Sequence, residues 1–133
     1  MQAERILETC LYVDDLEAAE TFYREVLGLI PFSQVKDRHI FFRCGAAVLL
    51  LFNPLKTTKA EGDVPTHGAH GAGHVAFAMS PEDIAAWREQ LTSFGVTIET
   101  ELTWPSGGFS LYFRDPAGNS LELVTLQTWG LSP

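Results

Sequence analysis

Glu8, His74 and Glu122 are the residues of this chain whose types and positions could perform chemistry. Each interrupts an otherwise apolar segment that is predicted to be a strand, and a polar side chain there is costly to bury without a partner. Two carboxylates and one imidazole neutralise a divalent cation and leave coordination positions open for a substrate. The set therefore predicts a metal centre, for Zn²⁺, Mn²⁺, Ni²⁺ or Fe²⁺ without distinction.

The first of these residues, Glu8, lies in a segment that is rich in β-forming residues, 6–13. Asp14 is predicted to cap the helix that follows, with Glu17 completing a capping box. Gly28 is predicted to end that helix, because glycine adopts the left-handed conformation at little cost.

The second half of the chain repeats this plan. His74 begins a predicted strand over 74–79, Ser80 is the predicted cap and Pro81 the first helical residue. Gly95 is predicted to end this helix. The spacing of the two halves is nearly constant, because Glu8 and His74 are 66 residues apart and Gly28 and Gly95 are 67 apart. Helical spacing predicts a buried stripe on this second helix, made of Ile84, Trp87, Leu91 and Phe94.

The ends of the two halves also match. The segment 39–52 aligns with 110–124, with one extra residue in the second turn. Each half is therefore predicted to be a strand, a helix and three further strands, in a single α+β domain. Module one spans 5–56, a polar and glycine-rich linker spans 57–72, and module two spans 73–128.

Alternation of side chains along a strand assigns the faces of the predicted sheets. The aliphatic faces are expected to lie under the helices, and Glu8, His74 and Glu122 on the opposite faces. If the sheets curl, those opposite faces line a cup. Leu50 stands at the position of module one that is equivalent to Glu122, so three of four related positions carry potential ligands.

Five further side chains are candidates for contact with a substrate. They lie on the predicted cavity faces or beside them. The alternatives to contact with a substrate are ordinary packing, hydrogen bonding within the protein, or a place at a subunit interface. His39 is the one that could also serve in acid–base chemistry. His67 and His70 of the linker are expected to be exposed to solvent rather than to join His74 in a metal cluster. The five candidates are Cys10, Tyr12, His39, Trp104 and Ser110.

Composition limits the class of protein. The chain has 133 residues, 46% hydrophobic and 20% charged, as in an ordinary globular domain. A net charge of −8 argues against nucleic acid and is compatible with a cationic ligand. No apolar run is long enough to span a bilayer, the first residues do not resemble a signal peptide, and two cysteines suit a reducing compartment, so a cytoplasmic protein without membrane partners is expected.

Three motifs together resemble the vicinal oxygen chelate superfamily, which includes glyoxalase I, extradiol dioxygenases, fosfomycin-thiol transferases and bleomycin-resistance proteins. They are VDDLEAAETFYREVLGL (13–29), HVAF (74–77) and YFRDPAGNSLELV (112–124). The resemblance implies two βαβββ modules that form an open, cupped, mixed β-barrel with the helices outside. It also implies a homodimer with sites shared between subunits. The family's metal positions fall on Glu8, His74 and Glu122, with Leu50 replacing the fourth ligand of glyoxalase I.

Two functions follow from these observations. The first is a metal-dependent enzyme that chelates two adjacent oxygens of a small organic substrate, with Glu122 or Glu8 as the catalytic base. Lyase or isomerase chemistry of the glyoxalase kind is favoured over dioxygenase chemistry, because two histidines and one carboxylate are usual for Fe²⁺ and O₂. The alternative is a metal-free protein of the bleomycin-resistance kind that sequesters a cationic small molecule.

Overall fold

A computed structural model describes all 133 residues of the protein. The chain divides into two compact units, Met1–Gly73 and His74–Pro133. Each unit contains one four-stranded mixed sheet, built from a strand, a helix and three further strands. The predicted α+β class and βαβββ modules are confirmed.

The first unit has the strand order β1-β4-β3-β2. Strand β1 runs parallel to β4, whereas the other two pairings are antiparallel. Its elements are β1 (Glu8–Tyr12), α1 (Leu16–Glu25), β2 (Ile30–Val35), β3 (His39–Cys44), β4 (Ala47–Phe52) and the short helix α2 (Pro54–Thr57).

The second unit repeats that topology as β5-β8-β7-β6, again with one parallel pair. Single turns of 3₁₀ helix precede its α-helix and follow its last strand, at Pro81–Asp83 and Leu126–Trp129. Its other elements are β5 (His74–Met79), α3 (Ile84–Ser93), β6 (Thr100–Thr103), β7 (Phe109–Arg114) and β8 (Ser120–Thr125).

Helix α1 begins one residue later than predicted. Asp15, not Asp14, is the N-cap, and its carboxylate accepts a hydrogen bond from the backbone N–H of Ala18 at 3.0 Å. The extended backbone of Asp15 places its side chain over the free N–H groups of the first turn, as a cap requires. The predicted stop is confirmed, because Gly28 has a φ of +66°.

Helix α3 departs further from its prediction. The side chain of Ser80 makes no capping hydrogen bond, and Pro81 begins a 3₁₀ turn, whose period of three residues differs from that of the α-helix. Of the predicted stripe only Leu91 is buried, whereas Phe94 is 49% exposed. Phe94 is the C-cap residue with a non-helical backbone, so its side chain does not continue the helical stripe.

The predicted assignment of faces is confirmed in the first sheet. Tyr23 of α1 contacts Phe42 of β3, with ring centroids 5.8 Å apart, so this face of the first sheet lies under the helix. Most aliphatic and aromatic side chains of that face are buried, as are those at the matching positions of β7 and β8. They are Leu11, Ile40, Phe42, Leu49 and Leu51 in the first sheet and Leu111, Phe113, Leu121 and Leu123 in the second.

Strand register confirms the equivalence of the two modules. Cys10 of β1 pairs with Leu50 of β4, and Ala76 of β5 pairs with Glu122 of β8. Leu50 and Glu122 therefore occupy the same place in their sheets. None of the helices has the length and apolar character needed to cross a bilayer.

Candidate functional site

His74 and Glu122 form a pair on the face of the second sheet that alternation assigns to the site. The two residues lie on the adjacent parallel strands β5 and β8, and Nε2 of His74 is 3.4 Å from Oε2 of Glu122. The Glu122 side chain is 7% exposed and the His74 side chain 51% exposed. A buried carboxylate thus faces an accessible imidazole.

A backbone hydrogen bond sets the orientation of the His74 ring. Its Nδ1 lies 2.9 Å from the carbonyl oxygen of Ser120, which can only accept, so Nδ1 carries the proton. In the neutral ring, Nε2 then presents its lone pair on the side of Glu122. Histidines that bind metals commonly donate their second ring N–H to a carbonyl in this way.

The other oxygen of Glu122 is held by a short chain of hydrogen bonds. The Ser110 hydroxyl, which is fully buried, donates to Oε1 of Glu122 at 2.5 Å. The indole N–H of Trp104 in turn donates to the Ser110 oxygen at 2.8 Å. Because Oε1 is engaged, the carboxylate is oriented with Oε2 towards His74.

The turn between β6 and β7 places Trp104 for this contact. The N–H of Trp104 donates to the carbonyl of Gly108 at 2.8 Å, and the N–H of Gly107 donates to the carbonyl of Trp104 at 2.9 Å. A Cβ atom at Gly108 would overlap the backbone of Thr128, so this close approach requires glycine.

Tyr112 completes the polar face of the second unit and was not among the predicted site residues. It pairs directly with Glu122 across β7 and β8, and its ring lies 6.5 Å from the His74 ring. Burial, and then the neighbouring Glu122 carboxylate, raise the pKa of the Tyr112 phenol, which keeps it a hydrogen-bond donor. Alternation from Ser110 along β7 was the signal that could have identified it.

In the first unit, Glu8 is exposed at the start of β1, and Cys10 and Tyr12 follow it on the same face. Burial raises the pKa of the Cys10 thiol, so the thiol is protonated at neutral pH. The Tyr12 hydroxyl lies 2.6 Å from Nδ1 of His67. A role of Cys10 or Tyr12 in contacting substrate remains a prediction.

The prediction that His67 is exposed to solvent is wrong. It is half-buried, while every other residue of 58–72, including His70, is exposed. Its N–H donates to the carbonyl of Thr57 at 3.0 Å, and its ring packs edge-on against Phe52 at 4.7 Å. These contacts join residues distant in sequence, so nothing in the glycine-rich linker indicated them.

His39 is held by its neighbours on the first sheet. Its ring stacks on Phe41 at 4.0 Å, and its Nε2 lies 3.2 Å from the Ser33 hydroxyl. Burial, with a smaller contribution from Arg38, lowers the pKa of His39, so the ring is neutral at pH 7. Its Nδ1 is buried and has no hydrogen-bond partner. The ring also borders a cleft of about 340 Å³ between α1 and the β2–β3 hairpin.

His74 and Glu122 fit a divalent metal ion as two of its ligands. An imidazole with a free Nε2 lone pair and a carboxylate with one oriented oxygen are donors that Zn²⁺, Mn²⁺, Ni²⁺ and Fe²⁺ accept. Nowhere in the chain do three side chains of His, Cys, Asp or Glu cluster as metal ligands. Glu8 belongs to the other unit, and its role as third ligand remains a prediction.

This fold and this pair define a class of protein. The family model described as the Glyoxalase/Bleomycin resistance protein/Dioxygenase superfamily matches residues 5–123. The chain belongs to this superfamily, as its three motifs predicted.

The relatives that resemble this chain are named for several different activities. The chain is 34% identical to glutathione transferase FosA of Serratia marcescens over 113 residues, 85% of this chain and 74% of that protein. It is 28% identical to a probable lactoylglutathione lyase of Vibrio parahaemolyticus, over 93% of this chain and 92% of the relative. The crystal structure of a lactoylglutathione lyase from Agrobacterium tumefaciens superposes with a TM-score of 0.95 at 39% identity, covering 98% of this chain and 100% of that one.

Proposed function

We propose that the protein is a divalent-metal-dependent enzyme of the vicinal oxygen chelate type, with the metal held by His74, Glu122 and Glu8. The observation that carries the proposal is the His74–Glu122 pair, with Nε2 and Oε2 3.4 Å apart. Both groups are oriented through their other polar atom, by Ser120 and Ser110 respectively. Supporting hydrogen bonds of this kind are typical of metal ligands.

The burial of Glu122 supports a cation at this place. A carboxylate that is 7% exposed requires compensation for its lost hydration. The Ser110 hydroxyl serves one oxygen, and Nε2 of His74 lies 3.4 Å from the other, too far for a strong hydrogen bond. A divalent ion bound by both groups would supply that compensation.

Within the chain, no third side chain of His, Cys, Asp or Glu joins His74 and Glu122. We propose that Glu8 supplies the third ligand in a homodimer whose sites are shared between subunits. Glu8 is exposed and therefore accessible to such a partner.

A divalent ion at this site would polarise two adjacent oxygens of a small organic substrate. The chain's own residues would then position the substrate and move its proton. Ser110 fixes Glu122, so we assign the catalytic base to Glu8, which has no such anchor and would leave the metal to accept the proton. Tyr112, on the same face as Glu122, would donate its phenolic proton in a hydrogen bond to a substrate oxygen.

Within this class we propose lyase or isomerase chemistry of the glyoxalase kind, ahead of dioxygenase chemistry. The likeness to a lactoylglutathione lyase over 98% of this chain supports it. The proposed ligands are two carboxylates and one histidine, whereas the usual Fe²⁺ triad has two histidines and one carboxylate. This difference favours Zn²⁺, Mn²⁺ or Ni²⁺ over Fe²⁺.

A metal-free binding protein of the bleomycin-resistance kind is the second candidate. The net charge of −8 favours it, because an acidic surface attracts a cationic ligand. This candidate gives no role to the orientation of His74 towards Glu122.

Metal binding separates the two candidates. Untagged protein titrated with Zn²⁺, Mn²⁺, Ni²⁺ and Fe²⁺ by calorimetry is expected to bind at least one ion, and His74→Ala and Glu122→Gln to lose that binding. His70→Ala is the matched control, since His70 is an exposed linker histidine. If wild type binds no ion, or if His74→Ala binds as well as wild type, the enzyme proposal is wrong. Turnover of glutathione hemithioacetals, catechols and epoxides then identifies the reaction.

A further inference from the structure

The face of the first sheet that carries Glu8 consists of three rows of paired side chains. One row begins at Glu8, the next at Cys10 and the last at Tyr12, each two residues further along β1. The rows, read across β1, β4 and β3, are Glu8–Val48–Arg43, Cys10–Leu50–Phe41 and Tyr12–Phe52–His39.

The middle of this face is apolar and uncharged. Leu50 stands where the second module has its carboxylate, and Phe41 lies beside it. His39 of the last row stacks on Phe41 and is neutral, because burial lowers its pKa. A bound molecule lying along β1 from Glu8 would therefore meet hydrocarbon and aromatic rings before it reaches Tyr12.

At the far end, Tyr12 and His67 form a hydrogen-bonded pair. Their separation of 2.6 Å is typical of a hydrogen bond donated by a hydroxyl. Burial and the neighbouring Cys10 raise the pKa of Tyr12 to about 12, so the phenol keeps its proton. Where this proton is donated to Nδ1 of His67, the neutral ring carries its own proton on Nε2.

Nε2 of His67 is available to a ligand. It has no hydrogen-bond partner within the protein, although the ring is fixed by Tyr12, Phe52 and the backbone of Thr57. A donor that is oriented by its neighbours and has no partner is suited to recognise an oxygen acceptor.

We propose that His67, oriented by Tyr12, is a specificity-determining residue that donates a hydrogen bond from Nε2 to an oxygen at the end of the substrate remote from the metal. The proposal rests on the metal-dependent function proposed above, with Glu8 at the metal. Tyr12 lies four steps along the strand from Glu8, which is about 13 Å at the usual rise. The substrate class is thus an elongated molecule with two chelating oxygens at one end, an apolar middle, and a carboxylate or amide oxygen at the other end.

The first test is the tautomer of His67 in the metal-free protein. Long-range ¹H–¹⁵N correlation spectra of the imidazoles are expected to show His67 protonated at Nε2 and accepting at Nδ1. Tyr12→Phe should abolish this preference for one tautomer, whereas the signals of the exposed His70 should be the same in both proteins. A proton on Nδ1 of His67 in wild type would overturn the assignment.

The second test measures recognition with hydroxamates, which present two adjacent oxygens to a metal. Calorimetry on zinc-loaded protein would compare acetohydroxamate with two long hydroxamates of equal length, one ending in a carboxylate and the other in a methyl group. We expect wild type to prefer the carboxylate over the methyl compound by about tenfold, as a hydrogen bond to a charged group provides. His67→Phe and Tyr12→Phe should lose that preference and bind acetohydroxamate as wild type does, with His70→Ala as the control.

The outcomes separate this inference from the proposed function. If wild type fails to bind acetohydroxamate, the metal proposal fails and this inference fails with it. If acetohydroxamate binds but His67→Phe keeps the preference, only the inference on His67 is wrong. If His67→Phe and Tyr12→Phe both bind all three hydroxamates with equally reduced affinity, the pair only holds the linker in place. That result would also overturn the inference on His67.

Discussion

Leu50 and Glu122 occupy equivalent positions in two modules of one topology, yet one is a buried hydrocarbon and the other a buried carboxylate. Leu50 pairs with Cys10 on the adjacent parallel strand, and Glu122 pairs with Ala76. The second module thus carries two adjacent polar groups where the first keeps only Glu8. In the proposed site the second module therefore supplies two metal ligands, whereas the first supplies Glu8 and an apolar surface.

Introducing a carboxylate at this position tests the asymmetry. Leu50→Glu is expected to lower the free energy of unfolding by about 3 kcal/mol in metal-free protein, because the new carboxylate is buried without a partner. Saturating Zn²⁺ should restore much of that loss if the side chain reaches the proposed metal. Urea denaturation with and without Zn²⁺ measures both quantities. Leu50→Gln is the matched control. If Zn²⁺ restores the stability of Leu50→Gln as much as that of Leu50→Glu, the new carboxylate does not bind the metal.

Removing the hydroxyl that orients Glu122 should weaken metal binding without removing a ligand. Ser110→Ala is expected to reduce the affinity for Zn²⁺ about 10–100-fold, since residues that orient ligands have effects of this size. Calorimetry or competition with a chromophoric chelator measures the affinity. Ser106→Ala, at an exposed serine of the neighbouring turn, should bind as wild type does. An unchanged affinity in Ser110→Ala would show that the hydrogen bond does not support the metal site.

The turn that carries Trp104 depends on glycine at position 108. Gly108→Ala is expected to destabilise the protein by about 1–3 kcal/mol, because the added methyl group overlaps the backbone of Thr128. Movement of the turn would also release the indole N–H from Ser110, so Zn²⁺ affinity should fall with stability. Thermal denaturation and calorimetry measure the two effects. A variant as stable as wild type would contradict the close approach.

His39 should make stability depend on pH. Its pKa in the folded protein lies below the unfolded value of about 6.5, so the unfolded chain binds more protons as the pH falls through that value. Stability is therefore expected to be retained above about pH 6.5 and to fall progressively below it. Urea denaturation of wild type and His39→Phe at pH 7.5 and 5.0 isolates the contribution, because the other three histidines are present in both proteins. Equal losses in the two proteins would contradict the prediction.

Much of the site's framework could be predicted from local patterns. Alternation along β1, β5 and β8 placed Glu8, His74 and Glu122 on the faces opposite the helices, and the duplicated spacing identified Leu50 as the counterpart of Glu122. Errors arose where a single residue decided the geometry. Asp14 and Asp15 are both suitable caps, and only the backbone conformation at Asp15 distinguishes them.

The sequence by itself determined the two modules, the faces of their sheets and the polar residues on those faces, because a period of two is a local property of the chain. Only the tertiary structure decided which polar groups touch. Trp104 contacts Ser110, which contacts Glu122, and the linker residue His67 contacts Tyr12 across 55 positions of sequence. Such contacts depend on strand register and on the closure of a long loop, and neither leaves a periodic signal in the residues that make them.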